Sequence, residues 1–232
     1  MVIETPAGFQ PNVAVLSDKV RTFFEHNLQN FQPQVATITA RHRGSGELGT
    51  DRFAFAKPLE DADYIFAGAG SPTYAVRNLA DSLVWNKTRE RLRAGATLAL
   101  ASAMALAVSA QTLPVYEIYK AGLDLYWMPG LDIFREYGLD LTIVPHWNNS
   151  EGGAELDTSH CYMGERRFSE LRKLLPNGAP ILGIDEHTTA IVDLEADQIE
   201  VHGVGSVTAR SGGESATYAS GARFPLDVLR RC

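Results

Sequence analysis

Ala96-Thr-Leu-Ala-Leu-Ala-Ser-Ala-Met-Ala-Leu-Ala-Val-Ser-Ala110 is the stretch on which the fold turns. Thr97 to Leu100 reads as a short apolar strand buried on both faces, and Ala103 to Ala110 as a helix of small residues. Strands buried on both faces belong to parallel sheets covered by helices. Ser102 stands at the seam. A serine between such a strand and a closely packed helix occupies the place of a nucleophile elbow, where a tight turn pushes the hydroxyl out of the sheet. Backbone N–H groups at the start of the helix would face the same point and stabilise an oxyanion. Ala101, Ala103 and Ala105 are small enough for helix and strand to approach; Leu100 and Met104 do not serve that purpose. Taken alone, the segment favours a plainer reading, a core strand and core helix with Ser102 as cap, because serine is a common N-cap. Its fully apolar run is shorter than the ~20 residues that a bilayer span needs.

The 232 residues suffice for one large domain or two small ones, and 45% hydrophobic residues supply a sizeable core. A formal net charge of −7 argues against a general binder of nucleic acid or anionic membrane. Two cysteines, Cys161 and Cys232, make no disulfide framework. No basic segment followed by an apolar one opens the chain, so the expected location is the cytoplasm.

Strand and helix patterns alternate outward from the opening stretch. Val2-Ile3 begins a short strand, and Asn12 to Phe31 has helical periodicity with Val15, Val20, Phe23, Phe24 and Leu28 on one face. Gln34 to Arg41 alternates like a strand. Asp63 to Ala67 is a strand that runs into Gly68-Ala-Gly-Ser-Pro72, and Thr73 to Arg93 is helical with a break near Trp85-Asn86. Leu139 to Pro145 is a strand delivering His146, Arg166 to Leu175 a helix, and Ile181 to Ile184 a strand delivering Asp185 and Glu186. Ala190 to Asp193, Gln198 to His202 and Ser206 to Arg210 read as short antiparallel strands. The pattern predicts one α/β domain over residues 1–232, a mostly parallel sheet flanked by helices with antiparallel strands near the C-terminus.

Ser102, His146 and the Asp185-Glu186 pair each follow a predicted core strand. In open α/β sheets, ligands bind in the crevice beyond the carboxyl ends of the strands. A serine, a histidine and an acid are the set a hydrolytic triad needs: nucleophile, base, and carboxylate that holds the imidazole tautomer. The glycines of Gly68-Ala-Gly-Ser-Pro72 allow close backbone approach there, with N–H groups suited to a second oxyanion donor.

This arrangement resembles the dipeptidase E and cyanophycinase family, serine-peptidase relatives of the class I glutamine amidotransferases. Three local matches carry the resemblance. Gly68-Ala-Gly-Ser-Pro-Thr-Tyr74 is similar to the family's glycine-rich oxyanion loop, and Ala101-Ser-Ala103 to its Ser-Ala-Gly elbow. Pro145-His146, with Gly183-Ile-Asp-Glu-His-Thr-Thr-Ala190 and Val201-His-Gly-Val-Gly205, is similar to its histidine strand and its Gly-Ile-Asp-Glu-x-Thr-Ala signature. The order holds from about Asp63 to Val207. The resemblance implies a flavodoxin-like, class I glutamine amidotransferase-like fold with Ser102 as nucleophile, His146 as base and Glu186 orienting His146. It implies an oxyanion hole from the N–H groups of Ala103 and Gly70, and no cofactor. Leu100 and Met104 stand where the family has glycine. The family opens with a further strand before the equivalent of Val2-Ile3, so the expected domain lacks that strand.

The segment after His146 departs from the usual dipeptidase one and crowds Trp147, Asn148, Asn149, Glu151, Asp157, His160 and Cys161 together. Its aromatic and amide groups suit a small polar ligand, so Trp147, Asn148 and Glu151 are expected to bind substrate. Arg167 is expected to hold a substrate carboxylate, the plainer role being a salt bridge on a solvated helix face. His146, Glu151, His160 and Cys161 match no compact zinc spacing, and no metal is expected. His187 and His202 read as packed or exposed structural residues. The leading function is thus a serine hydrolase of a small amide or short peptide. The alternative is a non-catalytic relative binding a small metabolite in the same crevice, which Leu100 and Met104 favour. No nucleic-acid or membrane partner is expected, while an incomplete sheet edge leaves room for self-association.

Overall fold

A computed structural model describes residues 1–176 and 179–230. The chain divides into two compact units, Met1–Met104 and Ala105–Cys232. The architecture is α/β, with parallel strands flanked by helices and antiparallel strands toward the C-terminus.

In the first unit, β1 (Val2–Ile3), β2 (Thr37–Ile38), β3 (Tyr64–Ala67) and β4 (Thr97–Leu100) form a wholly parallel sheet in the order β2-β1-β3-β4. The crossovers carry α1 (Val13–Asn27), α2 (Phe53–Ala56), α3 (Pro72–Leu79) and α4 (Leu83–Arg93). Alternation sorts β3 by face. Ile65 and Ala67 are buried, while Phe24 of α1 meets the rings of Tyr64 and Phe66 at 5.7 and 5.4 Å.

Several sequence expectations shift here. β4 is the edge strand and its residues are exposed or half-buried, so Thr97 to Leu100 is not covered on both faces. Its apolar character followed from the parallel ladder it joins, which does not by itself bury both sides. On α1 the buried residues are Val13 and Ser17, whereas Val15 and Phe23 are 56% and 59% exposed. The helical period was legible, but it does not say which stripe faces the sheet. The break between α3 and α4 falls at residues 80–82 and not at Trp85-Asn86: Asp81 is left-handed, and the Ser82 hydroxyl caps α4 by accepting from Trp85 N–H at 3.2 Å.

α5 (Ala103–Ala107) leads into the second unit and is shorter than the run to Ala110 suggested, because Ala110 N–H leaves the helix to bond Leu141 C=O at 2.9 Å. The second unit contains β5 (Gln111–Thr112), α6 (Val115–Tyr119), β6 (Met128–Pro129), β7 (Thr142–Val144), α7 (Ser159–Tyr162) and α8 (Gly164–Leu174). They are followed by β8 (Ile181–Ile184), β9 (Thr188–Asp193), β10 (Gln198–Gly203), β11 (Ser206–Ser211), β12 (Glu214–Ala219) and β13 (Arg223–Pro225). β7 and β8 are parallel, and β11 and β12 extend them antiparallel in the order β12-β11-β8-β7. β13, β10 and β9 make a second antiparallel sheet, and β5 pairs with β6. Leu106, Val144, Met163, Phe168, Leu171 and Ile181 belong to its apolar core. Among the described residues no helix is long and apolar enough to cross a membrane.

Gly183 is needed at the middle of β8. A Cβ there would lie 2.3 Å from the indole of Trp147, which rests on the strand. The same indole meets His160 and Phe168 edge-on at 4.2 and 5.2 Å, so it has little room to move. Gly183→Ala is expected to lower the stability of the protein by about 1–3 kcal/mol through overpacking, read as a lower urea midpoint. An unchanged midpoint would show that the indole is not pinned on β8.

Candidate active site

The first part of the candidate site forms where β4 ends. Ala101 N–H bonds Ala67 C=O at 3.1 Å and continues the ladder one residue past the strand. Ser102 then adopts φ +51°, and Met104 N–H closes on Ala101 C=O at 3.1 Å as α5 begins. A left-handed conformation at a residue with a Cβ costs of order 1–3 kcal/mol and is retained where the surroundings over-determine it. It reverses the chain within one residue, as a strand-to-helix elbow requires. Ser102 is half-buried, whereas Ala103 and Met104 are buried. The elbow therefore forms with Met104 in the interior, at the place where glycine was expected from the resemblance.

The glycine-rich loop leaves β3, the parallel neighbour of β4, at the same end of the sheet. Gly70 has φ +155°, and a Cβ there would meet Pro6 C=O at 2.0 Å. Ser71 fixes the loop on both sides: its N–H bonds Pro6 C=O at 3.0 Å, and its hydroxyl accepts from Tyr74 N–H at 3.2 Å to cap α3. At the same end of β1 lies Glu4, buried, which accepts from the Ser17 hydroxyl at 2.5 Å and from Arg41 Nε at 2.9 Å. Sequence reading passed over Glu4; its signal was an acid directly behind a strand.

The other unit carries the candidate histidine and acid. β7 ends at Val144, and His146 is left-handed at φ +52°. Its Nδ1 lies 2.9 Å from Glu186 Oε1. The same oxygen accepts from Asn149 Nδ2 at 2.8 Å, while Asn148 Oδ1 accepts from Glu186 N–H at 2.8 Å. The Asn149 bond first, and then the His146 bond, hold the Glu186 carboxyl below its ordinary pKa, so it is ionised and accepts only. Nδ1 therefore carries the hydrogen, and in the neutral ring Nε2 is the basic nitrogen. Asn149 is buried, and sequence reading gave it no role. An amide three residues past a carboxylate-seeking histidine was visible, but nothing in the string said which way it points.

Asp185 faces elsewhere. Its Oδ2 accepts from Ser206 N–H at 2.8 Å and from the Ser206 hydroxyl at 2.7 Å. Thr188 Oγ1 accepts from Gly205 N–H at 2.9 Å, and His187 between them is left-handed at φ +55°. The Asp-Glu-His-Thr run is thus a tight turn whose first and last polar groups hold the start of β11, leaving Glu186 for His146.

The residues after His146 fold back on it. Trp147 N–H bonds Ile184 C=O at 3.0 Å, His160 N–H bonds Trp147 C=O at 2.9 Å, and Cys161 N–H bonds His146 C=O at 3.1 Å. His160, Cys161 and Tyr162 in α7 are all left-handed, at φ +53°, +56° and +69°. Arg167 secures this turn: Nε donates to Met163 C=O at 2.7 Å and Nη2 to Tyr162 C=O at 2.8 Å. The turn brings the Tyr162 ring to 6.0 Å from that of His146, and its hydroxyl donates to Glu151 Oε2 at 3.1 Å. Burial, then this bond to Glu151, push the Tyr162 pKa up to about 12. Burial pushes the Cys161 thiol up to about 12 as well. His160 stacks on Phe168 at 4.6 Å, and burial lowers its pKa. Among the described residues no group of three or more His, Cys, Asp or Glu side chains is arranged to hold a metal ion.

No protein-family model matches the sequence, and no curated protein matches it. Similarity is found among solved structures. A peptidase from an acI-B1 Actinobacterium superposes with a TM-score of 0.74 over 97% of this chain and 82% of that one, at 19% identity. A protein from Listeria monocytogenes EGD-e, provisionally called a peptidase E, gives a TM-score of 0.49 over 94% and 84%, at 16% identity. The first of these likenesses establishes a fold shared with a peptidase.

Glu186 stabilises the fold as the anion. Its folded pKa is depressed, so this contribution is fully present above the ordinary carboxylate value and is lost as pH falls through the lower folded value. Asn149→Ala removes the larger cause. The Glu186 carboxyl is expected to titrate at higher pH in the variant, and the acid-side loss of stability to be smaller and complete at higher pH. Carboxyl NMR titration and thermal unfolding from pH 7 to 3 check both; superimposable curves would remove Asn149 from the site.

Proposed function

We propose that the protein is a serine hydrolase of a small amide or short peptide. The observation that carries this reading is Ser102 itself, a half-buried serine held left-handed between a parallel strand and a helix. A structural cap needs no such strain. The His146–Glu186 bond supports it independently, because it prepares the imidazole as a base with Nε2 as acceptor.

In this reading Ser102 Oγ attacks the substrate carbonyl carbon while His146 takes its proton. The N–H groups of Ala103 and Gly70 stabilise the oxyanion. The C–N bond breaks as His146 gives that proton to the leaving amine, and water then cleaves the acyl-enzyme by the same route. Glu186 keeps the imidazole oriented throughout. The fold shared with the Actinobacterium peptidase agrees with this chemistry. Glu151, carried beside His146 by its bond to Tyr162, is the substrate-side group we favour. Trp147 and Asn148 shape the frame, and Arg167 acts on substrate through the Tyr162 turn whose carbonyls it holds.

The fully buried Met104 favours a second reading, a relative that binds a small metabolite without turning it over, because its side chain occupies a position that the resembled family leaves to glycine. Labelling decides between them. A serine-directed phosphonate is expected to modify Ser102, and Ser102→Ala to abolish hydrolysis of a panel of dipeptides and small amides while costing only about 1 kcal/mol of stability. His146→Gln is expected to suppress both labelling and turnover. A metabolite that binds without turnover, with Ser102 unlabelled, would establish the second reading.

A further inference from the structure

The second unit carries a cleft of about 200 Å³ that the proposed chemistry does not use. It lies between the last turn of α8, the start of β8 and the β11–β12 hairpin, lined by Arg172, Leu175, Ile181, Arg210, Ser211 and Glu214 among others. Ile181 and Arg210 are cross-strand partners at the beginning of β8, whereas Glu186 lies beyond its end. Five residues of extended chain separate the two levels by about 17 Å.

Two arginines line this cleft. The Nε–H of Arg172 and that of Arg210 are both buried with no acceptor among the described residues. Arg172 has partial compensation elsewhere, with Nη2 3.7 Å from Glu165 Oε1 and 3.5 Å from Ser169 Oγ. Arg210 has no carboxylate within ion-pair distance among the described residues, and its guanidinium sits 5.8 Å from the centre of the Trp147 ring. Burial, and then the neighbouring Arg172, disfavour its charged form, with Glu165 acting in the opposite sense. Glu214 is at the rim, exposed, and bonded to neither arginine.

The arrangement is costly as it stands. Each buried N–H without an acceptor forfeits a charge-assisted bond, and two like charges share a partly desolvated space. The Trp147 ring accounts for one face of the Arg210 guanidinium, and the helix C-terminus suits Arg172, but neither accounts for both Nε–H groups lacking an acceptor in two residues that line an open volume. A group with several acceptor oxygens and negative charge would satisfy both forks at once.

We propose that this cleft binds a small oxyanion, the phosphate or carboxylate group of a soluble ligand, between Arg172 and Arg210. This site is separate from His146 and Glu186, and it stands whether or not the protein is a hydrolase. Because Arg210 lies over Trp147, the indole reports on its occupancy.

The test uses the full chain, titrated separately with sodium phosphate and sodium succinate at constant ionic strength set by sodium chloride. Binding is read by calorimetry and by tryptophan fluorescence. Saturable one-to-one binding of either anion is expected, phosphate or succinate response telling which group the cleft prefers. Arg172→Gln and Arg210→Gln are each expected to weaken it about tenfold or more, with Arg210→Lys intermediate. If Arg210→Gln fails to fold, Arg172→Gln decides. No saturable binding of either anion, or binding that Arg172→Gln leaves unchanged, would overturn the proposal.

Discussion

One carboxylate oxygen, Glu186 Oε1, organises the second unit's end of the candidate site. It accepts from the His146 ring at 2.9 Å and from Asn149 at 2.8 Å, so it joins the residues after β7 to the turn after β8. Parallel strands have no hairpin to join them, and the ends of β7 and β8 would otherwise be held only by their ladder. Asn148, which accepts from Glu186 N–H, repeats the link through the backbone. The consequence is chemical as well as mechanical. The bond to Nδ1 fixes the ring's orientation and, in the neutral ring, leaves Nε2 as the acceptor.

Several candidate residues and their neighbours carry backbone strain. Ser102, His146, His160, Cys161, Tyr162 and His187 are all left-handed although each carries a Cβ. Such conformations survive where neighbouring bonds leave no alternative. Here those bonds can be named: Ala67 C=O holds the residue before Ser102, Arg167 holds the carbonyls of the Tyr162 turn, and Gly205 and Ser206 hold the residues on either side of Glu186 and His187. Arg167 thereby takes a part different from direct carboxylate capture. Its fork matches two successive carbonyls at a turn that no right-handed helix could supply.

How much of this could be read from the string differs by element. The strand-to-helix switch at Ser102 was legible because residue size and polarity change there, and the glycine-rich loop was legible because Gly70 must pass Pro6. Strand-end placement of His146 and Glu186 followed from the apolar runs before them. The exposed stripe of α1 was misread because periodicity locates a face without saying what covers it. The open side of β4 was missed because an edge strand and a central strand can be equally apolar. Asn149 and Tyr162 were out of reach for another reason. Their roles depend on left-handed turns at non-glycine residues, and a sequence gives no local warning of these. The two arginines of the cleft lie 38 positions apart by number, Arg172 on α8 and Arg210 on β11, where the antiparallel register with β8 sets Arg210 opposite Ile181.

The surroundings also discriminate among the nucleophiles that the chain could offer. Cys161 lies in the same turn as Tyr162, its N–H bonded to the His146 carbonyl, and thiolates attack far more readily than hydroxyls. Yet its side chain is buried and its pKa is about 12, so at neutral pH only about one molecule in 10⁵ would carry the thiolate. The Tyr162 hydroxyl, at about 12, is likewise a donor to Glu151 and not a base. A serine needs no shifted pKa of its own, only a base that is neutral at working pH and an elbow that exposes its oxygen. In the proposed reaction the left-handed turn at Ser102 meets the second of these needs. Burial disarms the thiol of Cys161, whereas Ser102 is half-buried in a left-handed turn, and on that contrast the choice of Ser102 in the proposed reaction rests.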